Sequence, residues 1–191
     1  SYDTARLFVT RSEMHHTALV GGTGEGFYLG SNFGAAIARD AVIALNHIHH
    51  TGGLHGDGIE LKQGSYGCRI AENIIHDTPY PGILVYGTDG APRNVIEGNV
   101  IWSTVENPLQ VQGEALVRNN VVFGGDGGAF LSFDHQGVAH DLEVVHNTFV
   151  TTVGTALRVT DWAGRPGMVI ANNGLYSAVS YTHLTLPTNR E

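Results

Sequence analysis

The chain's apolar residues fall in short alternations, and one of these returns six times. Its form is an aliphatic residue, two variable residues, asparagine, one variable residue and another apolar residue. It runs through Ile43, Asn46 and Ile48; Ile70, Asn73 and Ile75; Ile96, Asn99 and Ile101; Val117, Asn120 and Val122; Val144, Asn147 and Phe149; and Ile170, Asn173 and Leu175. Successive asparagines lie 27, 26, 21, 27 and 26 residues apart. A period of that length, with apolar alternation on both sides of a bend, predicts one solenoid coil per repeat. Coils then stack roughly 4.8 Å apart through hydrogen bonds between parallel strands. The expected fold is all-β, a single-stranded parallel β-helix over residues 1–178 with an internal asparagine ladder. Asparagine suits that bend because it tolerates left-handed backbone and its amide can bond to the amides above and below. These six residues are therefore expected to be scaffold.

A second alternation runs beside the first, in residues 26–30, 58–62, 82–86 and 108–112, and less regularly in 129–133 and 156–160. Glycines lead the first three and mark the turn into each strand. Alternation sends Phe27 and Leu29, Ile59 and Leu61, Ile83 and Val85, and Leu109 and Val111 inward. The residues between them then face outward: Tyr28, Glu60 and Lys62, Leu84 and Tyr86, Gln110 and Gln112, Arg158 and Thr160. Lys62 and Tyr86, on neighbouring coils, are expected one strand spacing apart. An exposed, flat strip of acid, ammonium, phenol, amides and guanidinium suits an extended carbohydrate chain. Loops of variable length, as at residues 52–56 and 161–167, are expected on the rim, where solenoids carry function.

Composition narrows the class. A charged fraction of 15% with 26 glycines favours turn-rich β structure over helix. The formal net charge of −8 argues against a nucleic-acid-binding protein, and no apolar run is long enough to span a membrane. Cys68 is the only cysteine, which excludes an intrachain disulfide. Lys62 is the only lysine. A monomer is expected.

The segment His55-Gly-Asp-Gly-Ile-Glu-Leu-Lys-Gln-Gly-Ser65, followed by the ladder turn at Asn73, resembles right-handed β-helix proteins related to polysaccharide lyases and uronan epimerases. The likeness extends over residues 26–178. The Glu-x-Lys-x-x-Ser run is similar to the coil carrying the lysine base in chondroitinase B-like and alginate lyases. Where those enzymes place an arginine on the next coil, this chain has Tyr86. The resemblance implies right-handed winding, a polysaccharide or oligosaccharide partner, and a secreted, periplasmic or cell-surface location. It also implies calcium, but no calcium-ligating acidic cluster stands out along the sequence, and no cofactor or metal site is expected.

Lyase or epimerase action on a uronate requires its carboxylate to be neutralised, the C5 proton removed and a proton delivered. Lys62 is the expected electrostatic partner, since Glu60 beside it works against a lysine base. Tyr86 is the expected proton-transfer group, and His135, after Asp134, is a further candidate acid or base. Asp57, Glu60, Gln110, Gln112 and Arg158 are the candidate substrate-binding residues, Arg158 at a neighbouring sugar. Glycoside hydrolysis is the alternative and needs two carboxyl groups across the scissile bond. Asp57, Glu60, Asp134 and Asp161 are available for it, with Asp57 and Glu60 the close pair within one coil. A non-catalytic glycan-binding or surface β-helix would need the scaffold alone.

Histidine is abundant, at 11 residues. His49 and His76 hold equivalent places three residues after a ladder asparagine, in a column continued by Trp102, Phe123 and Tyr176. That pattern predicts aromatic packing on an outer face. The adjacent pairs His15 with His16 and His49 with His50 lack a third ligand at useful spacing along the chain. From residue 179 the repeat stops. Val179-Ser-Tyr-Thr-His-Leu-Thr-Leu-Pro-Thr188 resembles the translation of a transposase adaptor used in sequencing libraries. Residues 179–191, His183 included, are accordingly expected to be a non-native tail on a fragment of a longer protein.

Overall fold

The structure, a computed structural model, describes residues 3–18 and 21–178; the adaptor-like tail lies outside the described residues. Each coil runs strand, corner, strand, loop, strand, loop. Like strands stack in parallel into sheets of seven, seven and six strands, beside a two-strand pair of Thr4–Ala5 with Ala38–Arg39. The chain is a parallel β-helix.

In the first sheet Val9, Ile43, Ile70, Ile96, Val117, Val144 and Ile170 stand in one register column. Met14, Ile48, Ile75, Ile101, Val122, Phe149 and Leu175 do the same in the second. The third sheet consists of Phe27–Leu29, Ile59–Leu61, Ile83–Val85, Leu109–Val111, Gly128–Ser132 and Thr155–Val159. Its inward column is Phe27, Ile59, Ile83, Leu109, Phe130 and Leu157. Ile59, Ile83, Leu109 and Phe130 are completely buried, each contributing roughly 2 kcal/mol of apolar burial. The three columns meet as one apolar core inside the solenoid.

The asparagines form the expected ladder at the corner between the first two sheets. Each side-chain amide donates to the Oδ1 of the next, from Asn46 through Asn73, Asn99, Asn120 and Asn147 to Asn173, at 3.0, 3.0, 2.9, 2.9 and 3.0 Å. The ladder begins one coil before its first asparagine, where the Ser12 backbone N–H donates to Asn46 Oδ1 at 3.1 Å. One expectation is corrected. The left-handed residue is not the ladder asparagine but its predecessor: Leu45, Glu72, Gly98, Asn119, His146 and Asn172 all have φ between 55° and 65°. That turn frees the asparagine backbone to point its N–H along the stack, where it too bonds the neighbouring Oδ1. The asparagine is selected for its amide.

The leading glycines of the third sheet answer to stacking rather than to backbone angle. A Cβ on Gly58 would lie 2.5 Å from the Gly82 carbonyl oxygen and 2.7 Å from Ile75 Cγ2. Gly26 meets the Gly58 carbonyl oxygen in the same way at 2.5 Å. Two coils therefore approach closely beside the acidic residues that precede these glycines.

Candidate active site

The outer face of the third sheet holds a cleft of about 720 Å³. Its floor is Tyr28, Glu60, Leu84 and Gln110, in register on four successive strands. Alternation thus places these side chains outside the core, as expected. Much of the strip is not exposed, however, although Tyr28 and Arg158 are. Glu60, Lys62, Tyr86, Gln110 and Gln112 are all buried, Lys62 at 6% exposure and Tyr86 at 3%.

The cover is a strap formed by residues 133–137, which reaches back over the groove toward the first coils. Gln136 Oε1 accepts from the Phe33 backbone N–H, and its amide donates to Asn32 Oδ1, both at 3.1 Å. Asp134 anchors the strap's root: one oxygen accepts the Ala139 N–H at 2.8 Å and the other pairs with Arg165, also at 2.8 Å. Those two bonds hold its carboxyl below the usual carboxylate range. Asp134 is therefore a positioning residue and not a member of a hydrolytic pair. Asp161 is exposed and does not line the cleft. Arg158 is aligned with Leu131 and also lies off the cleft. Gln112 sits beneath the strap, where a Cβ on Gly137 would come within 3.0 Å of its Nε2.

The three residues expected to be catalytic converge. Lys62 pairs with Glu60, and its ammonium lies 4.7 Å from the Tyr28 ring centre and 5.1 Å from that of Tyr86. The strap brings the His135 ring to 5.1 Å from the Tyr86 ring. Burial, with the negative charges of Glu60 and Asp57, pushes the Tyr86 phenol far above its ordinary value, so it keeps its proton. Burial, with the Lys62 ammonium nearby, pulls the His135 imidazole down and keeps it neutral at pH 7.

Carboxyl groups gather at the other side of Lys62. Glu25, Asp57 and Glu60 offer oxygens within 4.8 Å of one another. Burial, reinforced by Glu60 and Glu25, pushes the Asp57 carboxyl up to about 8. Its Oδ1 is buried without a hydrogen-bond partner among the described residues. Burial also raises Glu60, while the Lys62 ammonium opposes that shift. The Tyr86 hydroxyl is 3.5 Å from Glu60 Oε1, a long contact. Glu25 was missed in the sequence. Its signal was an acid–glycine pair repeated one coil apart, Glu25 with Gly26 and Asp57 with Gly58.

The calcium implied by the family resemblance does not fit this donor set. Calcium takes six to eight oxygens; here there are three carboxyls, one already bonded to an ammonium and one holding a proton at neutral pH. Comparisons with protein-family models, curated proteins and solved structures returned no match to this chain.

The raised Asp57 carboxyl makes stability fall with pH. The folded state holds the proton more tightly than the unfolded chain, so the contribution is full below about 3.8 and is lost as pH rises through about 8. The shift corresponds to a loss on the order of 5 kcal/mol across that window. Asp57→Asn, which cannot ionise, is expected to melt several degrees higher than the parent at pH 9 and close to it at pH 4. Melting curves with the same offset at both values would contradict a buried protonated carboxyl.

Proposed function

We propose that this protein is a polysaccharide lyase acting on a uronate-containing glycan. The observation that carries the reading is the packing of a protonated phenol, Tyr86, and a neutral imidazole, His135, around the Lys62 ammonium in one cleft. The neutral imidazole takes the C5 proton, the C4–C5 double bond forms, the C4–O4 bond breaks, and the Tyr86 hydroxyl delivers its proton to the leaving oxygen. Lys62, with N–H groups beyond the one given to Glu60, and protonated Asp57 face the uronate carboxylate and stabilise the charge that develops on it. Tyr28, Tyr80 and Phe133 supply aromatic rings along the same cleft, and Gln110 offers an amide held by Glu106 at 3.1 Å. A chain of sugar rings needs both kinds of surface. Export to the periplasm or cell surface goes with such a substrate.

Retaining glycoside hydrolysis is the second reading, favoured by the carboxyl trio. Asp57 would be the protonated acid, and the trio's spacing of up to 4.8 Å is nearer the separation of about 5 Å used by retaining than by inverting glycosidases. Digestion of a panel of polyuronates separates the two. The lyase reading expects ultraviolet absorbance of an unsaturated uronate rising together with reducing ends. Reducing ends without that absorbance would establish hydrolysis instead. C5 inversion without cleavage would make the protein an epimerase, and tight binding with no product a glycan-binding module; either overturns the lyase assignment.

A further inference from the structure

Six histidines crowd onto the outer face of the second sheet and the corner that follows it, away from the cleft. His15, His49 and His76 stand in register on successive strands and continue to Trp102. Their rings are parallel within 16°, with centres 5.2, 5.1 and 4.4 Å apart. Stacking was expected for this column, but it starts one coil earlier, at His15. Farther along, Val150 separates Phe123 from Tyr176. A second column arises at the following corner, where His16, His50 and Asp77 all take φ between 50° and 53°. That shared backbone turn stacks His16 on His50 at 5.1 Å and brings Asp77 beside His50. His47, two residues before His49 and on the same face, completes the group.

Packing alone leaves one feature unexplained, namely the convergence of ligand atoms. Glu13, His47 and His49 present one oxygen and two nitrogens within 4.8 Å of one another, and His50, His76 and Asp77 do the same. In the first triad Glu13 Oε1 lies 3.1 Å from His49 Nε2 and 3.9 Å from His47 Nδ1. In the second, Asp77 Oδ2 lies 2.7 Å from His76 Nδ1 and 3.8 Å from His50 Nε2. Ring nitrogens also meet across the triads, His47 Nε2 with His76 Nε2 at 2.8 Å and His49 Nδ1 with His50 Nδ1 at 2.7 Å. Two imidazoles and a carboxylate on stacked strands and the corner beside them match the donor preference of zinc and its borderline neighbours, not of calcium or magnesium. The chain spacing of the histidines concealed this, because each triad takes its donors from two coils.

We propose that this face binds two divalent transition-metal ions, one on Glu13, His47 and His49 and one on His50, His76 and Asp77. Each site keeps a coordination position open to water. Because every site joins adjacent coils, the ions staple the first three coils together and raise their stability. Zinc ion is the probe.

Calorimetric titration of the full chain with Zn²⁺ is expected to show two equivalents in the micromolar range and a rise in melting temperature. Glu13→Gln and Asp77→Asn are near-isosteric, and asparagine tolerates the left-handed backbone at position 77. Each should weaken one equivalent at least tenfold and leave the other intact. His49→Ala with His76→Ala should remove both equivalents and the thermal shift. His140→Asn, on a rim loop, should change neither. Three results would overturn the assignment: no micromolar binding, binding unaffected by the double substitution, or one equivalent lost equally to either carboxylate change. Calorimetry on variants whose metal-free circular dichroism matches the parent keeps a folding defect from passing as lost binding.

Discussion

Replacing Asn99 by alanine is expected to lower the unfolding free energy by about 4 kcal/mol or more, and the melting temperature by about 10 °C. Asn99 is fully buried in the middle of the ladder. Its Oδ1 accepts from the backbone N–H and the side-chain amide of Asn73, both at 3.0 Å. Its amide donates to Ile70 O at 3.0 Å and to Asn120 Oδ1 at 2.9 Å. Alanine removes all four bonds at once and leaves the Asn73 N–H facing a dry methyl group. An unmet buried polar group costs about 1–3 kcal/mol. Glycine at the same position is a sharper probe. Were the asparagine needed for left-handed backbone, glycine would serve as well; since Gly98 supplies that angle (φ 65°), Asn99→Gly should be at least as damaging as Asn99→Ala. Recovery of stability by glycine, in thermal or denaturant melts, would refute the amide role.

The ladder could be read from the sequence because it repeats: a contact between residue n and its counterpart one coil later writes itself into the period. Inward and outward faces followed from alternation for the same reason, which is why Lys62 and Tyr86 were placed together. What alternation cannot say is what lies over a face. The strap of residues 133–137 meets Asn32 and Phe33 across several coils, a contact outside the register of the repeat. It turned an expected exposed strip into a covered cleft, and it brought His135 onto Tyr86 from a coil that gave no sign of the pairing. The carboxyl trio and the histidine triads were hidden differently. Each joins two members close in sequence to a third that only the stacking of coils brings alongside, so a search for ligands at short chain spacing finds a pair and misses the third. Glu13 and Glu25 each precede their partners by one whole coil.

Tyr86→Phe is expected to reduce turnover of the uronate polymer by about a hundredfold to ten-thousandfold, the range typical of losing a positioned proton donor, while KM changes little. The substitution keeps the ring that faces the Lys62 ammonium and packs against His135, so the fold of the cleft and the binding surface persist. The loss should therefore fall on kcat. Asp57→Asn provides the counter-test. In the parent, Asp57 sheds its proton as pH rises through about 8, adding negative charge where the substrate carboxylate must sit, and activity falls. The acid side is set by His135, whose imidazole must be neutral to accept the C5 proton; its lowered value places that limb below the ordinary histidine range. Asparagine at position 57 still donates a hydrogen bond and cannot ionise, so Asp57→Asn should stay active and lose the alkaline limb. A glycosidase using Asp57 as its acid would behave in the opposite way, surviving Tyr86→Phe and dying with Asp57→Asn. The pair of pH–rate profiles thus distinguishes a phenol that delivers the proton from a carboxyl that does.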